Sequence, residues 1–162
     1  YGSLYGGQGL IIGWVTFTDT PMEDLSGWVA WLKSSEAKSK CCQGGFTMET
    51  TAWGSRYTRP SAGGKVLDVS EAQVVLTGGN LVQGVTNHIV VEPNNRVTNL
   101  SGNKFSLRWS ASSGTFKGRV ADPTLPKPIT FGGVVLQKRQ VASGFFLGTD
   151  QSGPARISAK PQ

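Results

Sequence analysis

The sequence is poor in the side chains that most often carry out catalysis. Its 162 residues include one histidine, His88, and two cysteines, which are neighbours at Cys41 and Cys42. A disulfide between adjacent cysteines closes a small, strained ring, so no stabilising bridge is expected. The pair forms no CxxC motif and has no histidine at metal-ligand spacing, so we predict no metal site and no cofactor. We interpret Cys41 and Cys42 as partly buried thiols at a loop-to-strand junction.

Charge and long apolar runs are also scarce. Charged residues make up 16% of the chain, below the roughly 25% of an average soluble domain, which argues against helix-rich charged proteins. No stretch approaches the roughly 18 apolar residues of a membrane span, and no charged segment followed by an apolar one precedes the first strand. We therefore expect no membrane span, and we interpret the chain as a mature or excised segment of a larger protein.

Motifs for catalysis are missing as well. A Ser/His/Asp site needs a histidine held by a carboxylate beside an activated serine, and His88 lies in a regular strand pattern. Paired carboxylates for glycoside hydrolysis could come from Asp68, Glu49, Glu71 or Glu92, but ten scattered acidic residues supply such pairs by accident. There is no Walker loop and no GxGxxG motif before a helix. We predict that the protein is not an enzyme.

Glycine is abundant, and it points to the fold. The 22 glycines and 8 prolines are spread along the chain, and apolar residues recur in short alternating runs with turn residues about every ten positions. We predict a single all-β domain over residues 1–162, an antiparallel β-barrel with a sandwich as the alternative. The apolar faces of 9–18 predict a central strand. About eleven strands are expected, over 9–18, 28–33, 46–53, 65–69, 72–82 with a Gly78-Gly79 turn, 88–91 before an Asn94-Asn95 turn, 104–110, 115–121, 129–139, 142–149 and 155–158.

The clearest hairpin carries basic side chains on its polar face. The four-residue loop 111–114 sets a register that pairs Ser110 with Thr115, Arg108 with Lys117 and Ser106 with Arg119. Like charges facing each other on a sheet are destabilising without an acidic neighbour or a ligand. Arg108, Lys117 and Arg119 therefore form a candidate patch for an anionic glycan or a phosphate-bearing polymer. The alternative is that they solvate a barrel exterior and suppress edge pairing.

The net charge of +6 is concentrated in the same part of the chain. Residues 1–32 carry three acidic and no basic residues, whereas residues 103–162 carry nine basic and two acidic ones. The basic residues mostly occur singly between apolar ones rather than in clusters, so we do not expect nucleic-acid binding.

Aromatic residues are the other candidates for binding, because flat rings stack on the apolar faces of sugars. Trp53 and Tyr57 lie in a polar stretch with Arg56 and Arg59, and Trp31 shares its strand face with Lys33. We predict that Trp31, Trp53 and Tyr57 stack on a ligand, supported by the two arginines. The other tryptophans, Trp14, Trp28 and Trp109, are expected in the core.

Several segments carry a resemblance that covers most of the chain. They are GWVTFTD (13–19), LSGWVAWLK (25–33), GGFTMETTAWGSRYTRP (44–60), VLTGGNL (75–81), NKFSLRWSASSGTFKGRV (103–120) and GGVVLQKRQVASGFFLGTDQSG (132–153). Together they resemble a β-rich domain found near the ends of very large extracellular or surface proteins of environmental bacteria. Cys41-Cys42 and Pro154 depart from its pattern. The resemblance implies an architectural or binding role without a catalytic signature.

Taken together, these features predict a non-catalytic binding module of a secreted or cell-surface bacterial protein. The expected ligand is polysaccharide, neutral or acidic, held by exposed aromatic residues. Neighbouring domains of the parent protein are the other expected partners. The alternative is a structural or adhesive β-domain whose contacts are to neighbouring domains or another protein.

Overall fold

The computed structural model describes residues 1–39 and 41–161, and these residues form strands and three short 3-10 turns without an α-helix. The all-β prediction is confirmed. Two compact units divide the chain, residues 1–56 and the residues from Tyr57 onward. The single domain predicted over 1–162 stays a prediction.

The first unit is a four-stranded antiparallel sheet in the order β1-β2-β3-β4. Its strands are β1 (Gly2–Leu4), β2 (Gly9–Phe17), β3 (Leu25–Lys33) and β4 (Phe46–Gly54). The prediction of a central strand at 9–18 holds only in part. β3 pairs along the whole of β2, but β1 pairs only with Gly9, Leu10 and Ile11, so no described strand pairs with the remainder of that edge.

The second unit is an eight-stranded antiparallel sheet in the order β7-β6-β5-β12-β11-β10-β9-β8. Its end strands β7 and β8 contact each other, so the sheet is nearly closed into a barrel. Closure leaves little exposed edge for unwanted pairing. The strands are β5 (Glu71–Leu76), β6 (Val85–Val91), β7 (Val97–Asn99), β8 (Phe105–Ser110), β9 (Thr115–Val120), β10 (Ile129–Leu136), β11 (Val141–Leu147) and β12 (Ser152–Ala159).

The inward-facing side chains of this nearly closed sheet form a single hydrophobic core. Phe116, Phe131 and Phe146 are its largest fully buried members, and burying one such ring contributes about 2 to 3 kcal/mol. Gly118 lies opposite Phe131 on the neighbouring strand. A Cβ atom at position 118 would lie 2.3 Å from Cζ of Phe131, so the missing side chain leaves the space that the ring occupies.

The segment predicted as a strand at 65–69 is not one, although it belongs to the core. Val66, Leu67 and Val69 are buried, but the backbone of this segment bonds to side chains instead of to a neighbouring strand. The amide of Val66 donates to Oδ1 of Asn95 at 2.7 Å, and the amide of Asp68 donates to Oε1 of Gln140 at 2.7 Å. The prediction of a strand here is wrong: the adjacent residues Val66 and Leu67 are both buried, whereas a strand would point them to opposite faces.

The predicted turns are confirmed. Gly78 and Gly79 have φ of 65° and 59°, and Asn94 and Asn95 have φ of 60° and 63°. Glycine and asparagine tolerate this left-handed region better than other residues do.

Candidate functional site

Three exposed tryptophans lie on one face of the four-stranded sheet, and we call them the tryptophan face: Trp14, Trp28 and Trp53. Their exposed fractions are 82%, 46% and 50%, respectively. Trp14 lies directly opposite Trp28. Trp53 lies opposite Ser26, two residues before Trp28 on the same strand. Side chains opposite each other on an antiparallel sheet point to the same face, so the three indoles are neighbours across β2, β3 and β4.

The expectation that Trp14 and Trp28 lie in the core is therefore wrong. Alternation assigned Trp14 to the same face as Ile12 and Thr16, which is correct, but it does not reveal whether a second layer covers that face. One signal could have pointed to the exposure. The first 56 residues contain three long strand patterns, which is too few for two packed layers.

Polar groups accompany the tryptophan face. Nε1 of Trp28 donates to the carboxylate Oε2 of Glu49 at 3.4 Å, and Thr51 lies opposite Trp28 on β4. This carboxylate places negative charge beside the ring and can accept hydrogen bonds from hydroxyl groups. Apolar rings beside acceptor groups suit a neutral, hydroxyl-rich ligand better than an acidic one.

Trp31, a predicted stacking residue, lies on the opposite face of the sheet from Trp53. Its ring contacts Phe46 edge to face, with the centroids 5.3 Å apart. Its Nε1 is buried without a hydrogen-bond partner among residues 1–39 and 41–161. Lys33 on the same face is also buried, and its Nζ donates to the carbonyl of Cys42 at 2.9 Å. Trp31 and Lys33 thus pack within the first unit, and stacking of Trp31 on a ligand stays a prediction.

Tyr57, the third predicted stacking residue, belongs to the second unit and is half-buried. Its hydroxyl donates to the carbonyl of Ala111 at 2.7 Å, and a Cβ atom at Gly114 would lie 2.5 Å from Cδ2 of the ring. Burial raises the pKa of the Tyr57 phenol above its ordinary value, and the positive charge of Arg59 opposes this shift. The ring packs against the backbone of Gly114, and its stacking on a ligand stays a prediction.

The two arginines predicted to support stacking are exposed. Arg56 ends the first unit, where its backbone amide donates to Oδ2 of Asp24 at 2.7 Å. Arg59 acts electrostatically on Tyr57 in the second unit. Trp109, expected in the core, packs against it with its ring 5.7 Å from that of Phe116.

The predicted register of the basic hairpin is confirmed. Arg108 pairs with Lys117, Ser106 with Arg119 and Ser110 with Thr115. The three cations are exposed and point away from the core, because their neighbours Leu107, Phe116 and Val120 are buried. The sequence predicted this arrangement because a short loop fixes which residues face each other.

The described part of the chain contains few other side chains suited to catalysis or metal binding. His88 lies on β6 opposite Gln73, and Cys41 and Cys42 lie half-buried in the loop before β4. Residues 1–39 and 41–161 contain no group of three histidine, cysteine, aspartate or glutamate side chains that could hold a metal ion. None of the described helical segments is long and apolar enough to cross a membrane.

Comparison of the chain with protein-family models, curated sequences and solved structures gives no match.

Proposed function

We propose that this protein is a non-catalytic binding module whose tryptophan face stacks on neutral polysaccharide. The exposure of Trp14, Trp28 and Trp53 on one face of a sheet carries the proposal. Large exposed apolar patches on a soluble protein mark binding surfaces, because leaving them in water is unfavourable. The C–H groups of a sugar ring pack on an indole, while its hydroxyls remain free to bond to polar neighbours.

The choice of a neutral sugar follows from charge. Glu49 accepts a hydrogen bond from Trp28, and its carboxylate would repel a uronate or sulfate placed on that ring. A hydroxyl group would instead donate to it. We further propose that the module acts in a secreted or cell-surface bacterial protein, where polysaccharide and neighbouring domains are its partners.

Affinity electrophoresis of the whole chain through gels containing hydroxyethyl cellulose, xylan or mixed-linkage glucan tests the proposal. We expect retardation by at least one polymer, weakened about tenfold by Trp28→Ala and by Trp53→Ala. Phe17→Ala is the matched control, because Phe17 is 81% exposed on the other face of β2. Absence of retardation by all three polymers, or an equal loss in the control, would refute the proposal.

The open edge of β2 favours a second candidate, an adhesive module. Among the described strands none pairs with β2 beyond Ile11 on the β1 side. The edge residues Val15 and Phe17 are exposed and uncharged, whereas natural sheets protect such edges with charge, proline or a bulge. A second copy of the chain could add its β2 there. Light scattering would then detect a dimer that Val15→Lys converts to a monomer; a monomeric parent chain would exclude this candidate.

A further inference from the structure

A cavity of about 880 Å³ adjoins the basic hairpin in the second unit. Its lining includes outward-facing residues of three adjacent strands: Thr115 and Lys117 on β9, Thr130 and Gly132 on β10, and Phe145 and Leu147 on β11. The loop 125–128 contributes further lining residues, among them Lys127. This volume lies within the range of clefts that hold small ligands.

Gly132 lines the cavity between a cation and an aromatic ring. Gly132 lies opposite Lys117 on one side and opposite Phe145 on the other. These two flanking residues are therefore two strand spacings apart, about 10 Å. Gly132 has no side chain to fill the space between them, and Phe145 is 59% exposed. A flat ring can lie over Gly132 in contact with Phe145.

The charged side chains on the strands around Gly132 are all positive. Strands β8 to β12 contain Arg108, Lys117, Arg119 and Arg156 and no aspartate or glutamate. Lys117 and Lys127 have no ion pair within the described part of the chain. The nearest acidic residues in sequence lie outside these strands: Asp122 accepts hydrogen bonds from Thr124, and Asp150 is exposed after β11.

We propose that this cavity is a second binding site, specific for an anionic sugar. In this site the ammonium groups of Lys117 and Lys127 bind a carboxylate or sulfate, and Phe145 packs against the C–H face of the same ring. Arg108 and Arg119 continue the positive surface along the hairpin for further acidic units of a polymer. Like charges opposite each other cost stability, and an anionic ligand removes that cost. The site is separate from the tryptophan face, for which we propose a neutral ligand.

Binding of the whole chain to polygalacturonate, dextran sulfate and neutral dextran, measured at about 150 mM salt where long-range attraction is screened, tests this site. We expect binding to at least one acidic polymer and not to dextran; the two acidic polymers distinguish a carboxylate from a sulfate preference. Lys117→Gln with Lys127→Gln should weaken binding at least tenfold. Phe145→Ala should weaken it severalfold without a change in charge.

The matched control is Lys38→Gln with Lys104→Gln, which removes the same charge from exposed lysines that do not line the cavity. An equal loss in this control would show unspecific attraction and overturn the proposal. So would binding that Phe145→Ala leaves unchanged, or binding to phosphatidylserine vesicles with none to either acidic polymer. Trp28→Ala should leave acidic-polymer binding intact, so failure of the tryptophan-face proposal is recognisable separately. Near-ultraviolet circular dichroism confirms that each variant is folded.

Discussion

Trp14 and Trp28 lie directly opposite each other on β2 and β3, and both are exposed. Trp31, three residues after Trp28, packs against Phe46 on the other face of the same sheet. Tryptophans of one strand pair thus have two roles, since one face presents indoles to solvent and the other packs an indole against a neighbouring ring. Stability measurements distinguish an exposed tryptophan from a packed one without any ligand.

Truncation of the exposed and the packed tryptophans should have unequal costs. We expect Trp14→Ala to lower the free energy of unfolding by less than about 1 kcal/mol, because little of its surface leaves water on folding. Trp31→Ala should cost about 2 to 3 kcal/mol, since it removes the ring packed on Phe46. Urea unfolding followed by circular dichroism measures both. Equal costs would contradict the assignment of Trp14 to a solvent-exposed face.

The Tyr57 hydroxyl should contribute measurably to stability. Tyr57→Phe keeps the ring but removes the hydrogen bond to the Ala111 carbonyl, so we expect a loss of about 1 kcal/mol. Tyr5→Phe is a suitable control for removal of a tyrosine hydroxyl elsewhere. A loss of similar size in the control would show that the Ala111 bond is not the cause.

The same residue should make stability sensitive to alkaline pH. Burial raises the pKa of Tyr57 above 10.0 in the folded state, so the unfolded chain releases this proton first as pH rises. The contribution is therefore complete below the unfolded pKa and is lost as pH rises towards the folded one. The stability difference between the parent chain and Tyr57→Phe should shrink as pH rises through and beyond about 10, the ordinary pKa of tyrosine. A constant difference over that range would argue against the raised pKa.

Charge reversal on the basic hairpin should stabilise the free protein. Arg108 and Lys117 face each other, and Lys117→Glu replaces the repulsion with an attraction worth about 0.5 kcal/mol. The stability of Lys117→Gln should lie between those of the parent chain and Lys117→Glu. Added salt should reduce the difference in stability between these proteins. Thermal unfolding at low ionic strength detects the change. A destabilised Lys117→Glu variant would show that repulsion between these residues does not limit stability.

Short-range patterns predicted much of the fold. The hairpin at 104–121 has the expected register because its four-residue loop leaves little freedom in pairing. The three-residue strands β1 and β7 were missed, since three residues are too few to show a period. Lys65–Val69 carries the apolar pattern of a strand, yet its amides bond to distant side chains of Asn95 and Gln140.

The candidate sites likewise include residues whose exposure the sequence predicted and a cavity that it did not. Trp53 and the cations Arg108, Lys117 and Arg119 are exposed, in agreement with the sequence-based predictions, whereas their binding roles stay predictions. The cavity beside Lys117 was not predicted, because it joins β9, the loop 125–128 and β11, which only the pairing of the strands brings together.

The scarcity of charge, the abundance of glycine and the short alternating apolar runs indicated by themselves that this chain is a turn-rich all-β protein. Alternation also determined which residues share a strand face, because successive side chains point to opposite sides. Only the tertiary structure decided which faces are covered. Coverage depends on layers and loops contributed by distant parts of the chain, which is why Trp14 and Trp28 lie in solvent while Phe116 and Phe131, on similar strands, are buried.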